Sequence, residues 1–373
     1  MTPALRPALA LLLIALGWSL SWAGPPPDAS TERRAAHLVR TDSKQMVTLY
    51  AARILIDSVT PEGIRVWVSD KEFEWVRSRG WDIRFISPTA EDYWPEEETK
   101  AEKGLTYPLT TYPTFDEITA ALEDFASTYP SLCRLVSIGK SVQNRDLWFL
   151  KITDNPDLEE DEPEFKYIST MHGNETLGVI LCLNLIHDLL AGHGTDPRLT
   201  SLVDETEIWI MPLMNPDGYS RSPRSRFNSQ GIDLNRNFPD RVEDDANDPT
   251  GRAPEVRAVM NFCAVHSFVL SANFHTGALV VNYPYDNSEF AHIQNHPDWY
   301  TPDNDVFVDA SLAYSSNNPP MYASPYFTNG ITNGIAWYTL VGGMQDWNYV
   351  WMGCNEVTIE VSDIFSPSTS ALG

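Results

Sequence analysis

Basic residues are scarce in this sequence. The chain has 26 Lys and Arg residues against 51 Asp and Glu residues, and its formal net charge is −25. Nucleic acids and anionic membranes are bound through clustered positive charge, so the composition argues against both as partners. A cationic peptide would be attracted weakly, although most of this charge is typical of a solvated acidic surface that keeps a protein soluble.

Cysteine is also scarce, with four residues in 373. Cys133, Cys182, Cys263 and Cys354 are spaced too widely for a metal knuckle. In an oxidising compartment they could form up to two disulfides, by any of three pairings. The alternative is that each is a small buried apolar residue, and the sequence leaves both open.

Long apolar runs are missing after the N-terminus. Residues 8–20 form an apolar run behind Arg6 that is short for a membrane span and is followed by Ser21, Trp22 and Ala23, with small residues at the first and third of these positions. This pattern predicts a signal peptide over residues 1–23, cleaved after Ala23. No later stretch approaches the roughly 20 apolar residues of a spanning helix. We therefore expect a secreted protein, extracellular or periplasmic, without a membrane anchor.

Apolar and aromatic residues are present in the amounts of a packed protein: 43% of residues are hydrophobic, including 12 Trp, 15 Tyr and 15 Phe. A chain of this length has room for one large and one small domain. Residues 88–104 are acidic and interrupted by proline, which predicts an exposed linker that a protease could cut. We place the boundary there, with a small domain or propeptide at residues 24–104 and a larger domain at residues 105–373.

The two parts differ in their patterns. Residues 24–104 predict a small β-plus-α unit, whereas the rest alternates apolar strand-like runs with helical segments and predicts an α/β domain with a largely buried sheet. In the first part we predict strands at 47–56, 64–68 and 83–86 and a helix at 71–79. In the second part we predict strands at 148–152, 165–171, 207–213, 268–274, 279–283 and 356–361, and helices at 115–129, 176–191, 253–266 and 302–315.

Two predicted strands end next to good metal ligands. His172 and Glu175 follow the strand at 165–171, at the carboxyl end where open α/β sheets place ligands. A His and a Glu three residues apart occur often by chance, so this pair alone predicts little. His275 ends a second strand and could meet the pair at the same sheet edge. Two His and one Glu leave a fourth position for water, which is typical of a catalytic zinc.

A candidate base lies near the C-terminus. The strand at 356–361 alternates, so Glu356, Thr358 and Glu360 share one face. A carboxylate at Glu360 could take a proton from the attacking water and pass it to the leaving amine. The alternative reading, an exposed acid on an edge strand, is favoured for Glu356.

The region from about residue 112 to 366 resembles the zinc carboxypeptidase family typified by carboxypeptidases A and B, and within it most resembles the regulatory subfamily of carboxypeptidases N, E and D. The resemblance implies a mixed, mostly buried sheet flanked by helices, and one Zn²⁺ per chain. The matching blocks are HGNE at 172–175, NPDGY at 215–219, DLNRNFP at 233–239, LSANFH at 270–275, NYPYD at 282–286, GITNG at 330–334, GGMQD at 342–346 and VTIE at 357–360.

The resemblance also implies roles for individual residues. His172, Glu175 and His275 would hold zinc, and Glu360 would be general base and then acid. The remaining assignments are Arg226 for the oxyanion of the attacked carbonyl, Asn235 and Arg236 for the substrate's terminal carboxylate, and Tyr338 closing over that carboxylate. A fixed cation contributes most as charge develops in the transition state, and a guanidinium offers a carboxylate two parallel hydrogen bonds.

Specificity for the departing side chain is implied by Asp286 and Gln345, which match positions that line the pocket in this family. A carboxylate with a nearby amide suits Lys or Arg, the preference of the N, E and D type. Asp286 could instead be ordinary turn chemistry, since Asp is common in turns.

The sequence departs from the family pattern in two places. Thr276 stands where the subfamily usually has glycine after the zinc histidine. The chain also ends at Gly373, whereas the family continues with a final helix, so we expect residues 105–373 to be a catalytic domain shortened at its C-terminus. Residues 24–104 occupy the place of the inhibitory prodomain of digestive-type procarboxypeptidases, and the alternative for them is an ordinary accessory domain.

Taken as a hypothesis, the chain is a secreted zinc-dependent carboxypeptidase, acting as a monomer on peptides or proteins with a free C-terminus and preferring Lys or Arg. The alternative is a peptidase or amidase of the same fold with another substrate, such as murein peptide. A metal-dependent deacylase would not need Asn235, Arg236 and Tyr338. An inactive peptide-binding relative would have lost ligands or base, and all the expected residue types are present.

Overall fold

The computed structural model describes five stretches of the chain: residues 33–39, 43–60, 62–86, 105–243 and 246–372. The signal peptide predicted at residues 1–23 and the linker predicted at residues 88–104 lie outside the described residues.

Residues 33–86 contain a small four-stranded sheet with two helices. In chain order the elements are β1 (Arg34–Val39), α1 (Ser43–Ala51), β2 (Leu55–Thr60), β3 (Gly63–Val68), α2 (Asp70–Arg77) and β4 (Ile83–Phe85). The strand order is β2-β3-β1-β4, and every neighbouring pair is antiparallel. This is the β-α-β-β-α-β arrangement of ferredoxin-like domains, and it confirms the predicted β-plus-α unit.

The strand predicted at 47–56 is wrong over its first half, because α1 occupies residues 43–51 and β2 starts at Leu55. Gln45, Leu49 and Ala52 are buried, and their spacing of four and three is that of one helix face. Short apolar runs do not distinguish helix from strand by composition, and here the helical spacing decides.

The strands of this small domain bury one face and present the other to the larger domain. Ile64, Val66 and Val68 on β3 belong to its own core, whereas the alternating Trp67 packs edge-on against Phe227 of the larger domain with ring centroids 5.3 Å apart. The sheet therefore has a second face that covers part of the larger domain.

The larger domain is built on an eight-stranded sheet. Its strands are β5 (Cys133–Lys140), β6 (Asp146–Ile152), β7 (Glu164–Ser169), β8 (Glu207–Met211), β9 (Phe268–His275), β10 (Ala278–Tyr283), β11 (Ile331–Asn333) and β12 (Asn355–Ser362). Its helices are α3 (Phe115–Thr128), α4 (Leu177–Gly192), α5 (Pro197–Asp204), α6 (Pro216–Tyr219), α7 (Pro254–Cys263), α8 (Asn304–Ser315), α9 (Pro319–Tyr322), α10 (Gly334–Trp337) and α11 (Met344–Trp347).

The sheet is mixed and its order is β11-β10-β12-β9-β7-β8-β6-β5. The four central strands β12, β9, β7 and β8 run parallel to one another. At one side β6 is antiparallel to β8 and β5 is antiparallel to β6, and at the other side β10 is antiparallel to β12. Apolar cores cover both faces: α4 packs in one and α7 in the other. Parallel strands covered on both faces read as continuous apolar runs, as β8 does.

The six strands and four helices predicted for the larger domain are all present, with ends that differ by at most three residues. Strands β1, β5 and β11 were not predicted, since each has weak alternation or few residues. The four cysteines are buried and free, so the small-apolar alternative applies. Among the described residues no single helix is long and apolar enough to cross a membrane. The bent pair of α4 and α5 would together be long and apolar enough, by length and composition only.

The fold brings the carboxyl ends of β7, β9 and β12 to one edge. β7 leads into the loop with His172 and Glu175, β9 ends at His275, and β12 places Glu360 directly opposite His275 in the parallel register. Ligands bind at this edge in open α/β sheets.

Candidate functional site

The three predicted metal ligands meet at the edge of the sheet. Glu175 Oε1 lies 2.8 Å from His172 Nδ1, and Glu175 Oε2 lies 2.8 Å from His275 Nδ1. The two imidazole Nδ1 atoms are 3.1 Å apart. All three side chains are buried, and their ligand atoms form one group that could hold a metal ion.

The contacts of His172 leave its Nδ1 atom available to bind a cation between the three side chains. His172 Nε2 lies 3.0 Å from Asp233 Oδ1, and a carboxylate accepts, so this nitrogen carries the proton. In the neutral imidazole the Nδ1 lone pair of His172 then faces the Glu175 carboxylate and His275 Nδ1. Two imidazoles and a carboxylate form the donor set of a catalytic zinc site, in which a second carboxylate that orients a ligating histidine is usual.

Asp233 ties the metal ligands to a buried arginine. Its Oδ2 accepts from Arg226 Nε at 2.9 Å, while Oδ1 faces His172. Burial alone would raise the pKa of Asp233, but Arg226 and His172 lower it well below its ordinary value. Arg226 Nη1 also lies 3.5 Å from Glu175 Oε1 and bonds the Asp57 carboxylate. The guanidinium is therefore fixed beside the ligand cluster.

Two other groups of acidic and histidine side chains in the described residues are weaker candidates for a metal site. Glu164 accepts from His266 at 2.9 Å, and Glu207 pairs with Lys151 at 2.5 Å, so this second group is satisfied by the protein itself. The third group is acidic and partly exposed, as is common without a metal. Its members are Asp154, Glu160 and Glu162.

Glu360 is a buried carboxylate next to the ligand cluster. Its Oε2 has no hydrogen-bond partner in the part of the chain that the structure describes. Burial raises the pKa of Glu360 well above its ordinary value, and the neighbouring Glu175 and Asp57 carboxylates raise it further. A buried carboxyl group with a raised pKa is suited to accept a proton and to release it again, as general acid–base chemistry requires.

The expectation that Glu356 is an exposed edge-strand acid is wrong. β12 lies inside the sheet, and Glu356 is completely buried. Its carboxylate lies 3.3 Å from the Lys166 ammonium and accepts from Ser271, Asn273 and Asn348. A buried charge persists when it is paired and hydrogen-bonded, so this residue belongs to the structural support of the site.

The residues predicted to hold a terminal carboxylate line the same cavity. Asn235, Arg236 and Tyr338 all line it together with the metal ligands. Arg236 Nη2 donates to the Ile56 carbonyl at 2.7 Å, and the Tyr338 hydroxyl donates to the Asp57 carbonyl at 3.4 Å. Both groups thus bind main-chain carbonyls of the small domain.

The inner end of the cavity contains the residues predicted to select the side chain. Asp286 Oδ1 accepts from Gln345 Nε2 at 3.0 Å and from Asn282 Nδ2 at 3.1 Å. Burial raises the pKa of Asp286 to about 7, although the hydrogen bond from Asn282 works against this shift. Within the described residues, Gln345 Oε1 and Asn282 Oδ1 are buried without partners. Asp286 and Asn282 both line the cavity, so the inner end offers their oxygens to a cationic group.

All the predicted site residues lie in or against this one cavity; Gln345 contributes through its contact with Asp286. Sequence reasoning missed Asp57, Asn282 and the support that Asp233 gives to His172. Asn282 and Asp233 lie within recognised sequence blocks and could have been singled out there. No pattern in the sequence marks Asp57.

Known proteins are similar to this chain in sequence. A family model described as zinc carboxypeptidase matches residues 118–372. Carboxypeptidase D of Rattus norvegicus is 47% identical over 270 residues, which are 68% of this chain and 19% of that protein. Carboxypeptidase M of Mus musculus is 44% identical over 257 residues, covering 65% of this chain and 57% of that protein. The Homo sapiens carboxypeptidase N catalytic chain is 38% identical over 301 residues, covering 70% and 66%. The chain thus spans only about a fifth of the length of the carboxypeptidase D relative.

Solved structures share the fold. A carboxypeptidase A from Helicoverpa armigera superposes with a TM-score of 0.70 at 16% identity, covering 91% of this chain and 93% of that chain. Thrombin activatable fibrinolysis inhibitor superposes with a TM-score of 0.67 at 18% identity, covering 91% and 94%. These likenesses extend beyond the larger domain, and at such identities they concern the fold alone.

Proposed function

The chain belongs to the zinc carboxypeptidase family, and from that premise we propose that it hydrolyses the C-terminal peptide bond of peptides or proteins, preferring C-terminal Lys or Arg. One observation supports this above all others. A single cavity is lined by the His172, Glu175 and His275 group and also by Arg236 and Asp286.

The residues around the metal position would carry the chemistry. Zinc held by His172, Glu175 and His275 would supply a Lewis acid that lowers the pKa of water and polarises a carbonyl. Glu360 takes a proton from the attacking water and passes it to the leaving amine. Arg226 lies beside this point and stabilises the oxyanion as negative charge develops on the scissile carbonyl oxygen.

The substrate is oriented by the residues of the cavity that would bind its terminal carboxylate. The guanidinium of Arg236 offers a fork of donors to a terminal carboxylate, and the Tyr338 hydroxyl adds another donor. Asn235 lines the same wall, where its Oδ1 accepts from the Met344 amide at 3.0 Å and so is held in place. A group that requires a free carboxylate restricts cleavage to the last residue.

Selection for Lys or Arg comes from the inner end. A cationic side chain would meet the Asp286 carboxylate, which Gln345 holds in place, and the unpartnered oxygen of Asn282. Pairing this buried acid with a cation removes the unfavourable desolvation that raises its pKa. The names of the relatives, carboxypeptidases D, M and N, agree with a peptide substrate.

We also propose that the protein is exported by the apolar leader at residues 1–23 and acts as a monomer. The leader pattern supports export, and a peptide with a free C-terminus is the only partner that the cavity requires.

The test compares blocked peptides that differ only in a C-terminal Arg, Lys, Phe or Glu. The full chain, cleaved within residues 88–104, is assayed with and without a zinc chelator. We expect chelator-sensitive release of Arg and Lys. Release of Phe would keep the chemistry but overturn the roles of Asp286 and Gln345. No release from folded, zinc-loaded, cleaved protein, combined with hydrolysis of murein peptide, would support the alternative substrate instead.

A further inference from the structure

The chain that follows β12 contacts both loops that carry the metal ligands. β12 contains Glu360 and ends at Ser362, and the chain continues through residues 362–367, which we call the clamp segment. This segment forms hydrogen bonds with residues next to Glu175 and next to His275. It therefore joins the strand of the candidate base to both ligand loops.

Ser366 of the clamp segment contacts the loop around Glu175. Its hydroxyl donates to the Asn174 carbonyl at 2.8 Å, and because a hydroxyl has one proton, it accepts from the Thr176 hydroxyl at 3.2 Å. Ser366, Asn174 and Thr176 are all buried. Thr176 immediately precedes α4, and its side chain makes no capping hydrogen bond with that helix. The residues on both sides of Glu175 are thus bound to the clamp segment.

Thr276 contacts Glu175 and the clamp segment at the same time. Its main-chain N–H donates to Glu175 Oε2 at 3.1 Å, while its hydroxyl donates to the Phe365 carbonyl at 2.7 Å. Glu175 Oε2 is the oxygen that lies 2.8 Å from His275 Nδ1. Thr276 is almost completely buried, so both hydrogen bonds are shielded from water. One residue therefore connects the clamp segment with the carboxylate of a metal ligand.

The Phe365 ring packs directly on the turn between β9 and β10. Gly277 in this turn has a φ of +128°, and a Cβ there would lie 2.6 Å from Phe365 Cζ. The Gly277 N–H also donates to the Ser362 carbonyl at 2.7 Å. Only glycine combines this backbone conformation with so close an approach. The ring and the hydrogen bonds together fix the clamp segment on the turn that follows His275.

These contacts orient a carboxylate that has several rotatable bonds. A metal ion that binds an already oriented Glu side chain does not have to offset the loss of its rotamer freedom. Hydrogen-bond partners that orient a metal ligand accordingly raise the affinity for the metal. Thr276 stands where the resemblance implies glycine. Glycine would keep the N–H that donates to Glu175 but has no hydroxyl for Phe365.

We propose that Thr276 and Ser366 are positioning residues that act through the clamp segment and hold the Glu175 carboxylate in the orientation that zinc requires. Neither side chain belongs to the group of metal ligands, and both act through Glu175 and its neighbours. The inference rests on the metal position of the proposed function and is independent of the peptide that the enzyme cleaves.

The experiment measures the zinc affinity of the full chain by competition with a chromophoric chelator. Thr276→Val keeps the size of the side chain and the main-chain N–H but removes the hydroxyl. Ser366→Ala removes the donor to the Asn174 carbonyl. We expect each substitution to lower the affinity for zinc about tenfold, at the lower end of the usual effect for residues that orient a metal ligand.

Two further variants separate positioning from general loosening. Thr276→Ser keeps the hydroxyl and should retain the parental affinity for zinc. Thr332→Val is the matched control, because the Thr332 hydroxyl also donates to a main-chain carbonyl, that of Asn333 at 3.1 Å, but lies on β11 at the edge of the sheet. It should bind zinc as the parent does. Thermal melting of the zinc-free proteins identifies the variants that are folded, and Ser366→Ala provides the test if Thr276→Val is not.

The double variant Thr276→Val/Ser366→Ala tests whether the two residues act through one segment. If they do, the loss of zinc affinity should be smaller than the product of the two single losses, because either substitution alone already releases part of the clamp segment. A loss equal to that product would overturn the shared segment.

Parental zinc affinity in the folded single variants would overturn the proposal as a whole. A loss in Thr276→Ser as large as that in Thr276→Val would do the same, since the hydroxyl would then not be the cause. The expected pattern of zinc affinities in a protein that releases no residue from any peptide would instead overturn the proposed function and leave the roles of Thr276 and Ser366 standing.

Discussion

The two ends of the cavity treat a buried carboxylate in opposite ways. At the metal end, Glu175 lies between His172 and His275, and these imidazoles lower its pKa although burial alone would raise it. At the inner end, Asp286 has amide neighbours, and burial raises its pKa to about 7. The protein places two imidazoles in contact with the first carboxylate, whereas the second accepts hydrogen bonds from the neutral amides of Asn282 and Gln345. One end is therefore built for chemistry and the other for selection.

The largest expected effect comes from a substitution that removes the acid–base group at the metal end and leaves the inner end unchanged. Glu360→Gln keeps the size of the side chain but removes the proton acceptor, and kcat should fall by about 10² to 10⁴. The relative preference for Arg over Phe should not change. Stopped-flow or endpoint release of the terminal residue from the cut protein measures both. Glu74→Gln, at an exposed position 3.0 Å from Arg77, is the control and should retain full activity.

The next largest effect is expected from a substitution that removes the charge at the inner end and leaves the metal end unchanged. Asp286→Asn removes the charge that faces a basic side chain, and kcat/KM for an Arg-terminated peptide should fall by about 10²-fold, the usual cost of losing one partner of a buried charged pair. Hydrolysis of a Phe-terminated peptide should be unchanged or faster. Asp188→Asn, at an exposed site, serves as control. An equal loss for both peptides would mean that Asp286 supports the fold and does not select.

A smaller effect tests how the metal end is supported. Asp233→Asn weakens the hydrogen bond that fixes the His172 tautomer, and the affinity for zinc should fall by about 10 to 100-fold. Competition with a chromophoric chelator measures this without any assay of activity. If zinc affinity stays at the parental value while the protein remains folded, His172 does not depend on Asp233 for its orientation.

The smallest effect is a pH dependence that belongs to the inner end. As the pH falls through about 7 Asp286 gains a proton and its attraction for a cation is lost, so the ratio of kcat/KM for Arg-terminated to citrulline-terminated peptide should rise with pH, with its midpoint at about 7. The ratio cancels contributions from Glu360 and the metal. The other charged groups acting on Asp286 are Arg236, Asp240, Glu356 and Asp346. In Asp286→Asn the ratio should not vary with pH, and a persistent slope there would assign the titration to another group.

The three metal ligands could be predicted from local features of the sequence. His172 and Glu175 follow one apolar strand and His275 ends another, and parallel strands bring their carboxyl ends together. The inner end was assigned by resemblance only, because Asp286 and Gln345 are 59 positions apart and no pattern relates them. Likewise, the sequence misjudged Glu356, since its alternation does not show whether β12 is an edge or an internal strand.

The position of Asp57 could not have been predicted. The apolar run over residues 47–56 predicts a single strand, and this prediction misses α1 and misplaces the start of β2. A β-bulge and the docking of two domains are tertiary features, and neither leaves a mark in the order of residues.

The most direct test of the account is the ratio of kcat/KM for an Arg-terminated over a citrulline-terminated peptide, measured on cut, zinc-reconstituted wild-type protein. Arginine and citrulline differ little in size but differ in charge, so the ratio isolates the inner carboxylate. The account predicts a ratio of about 10² or more, with both activities lost on chelation and restored by zinc. A ratio near one in an active, zinc-dependent enzyme would contradict the division of the cavity into a chemical end and a selective end.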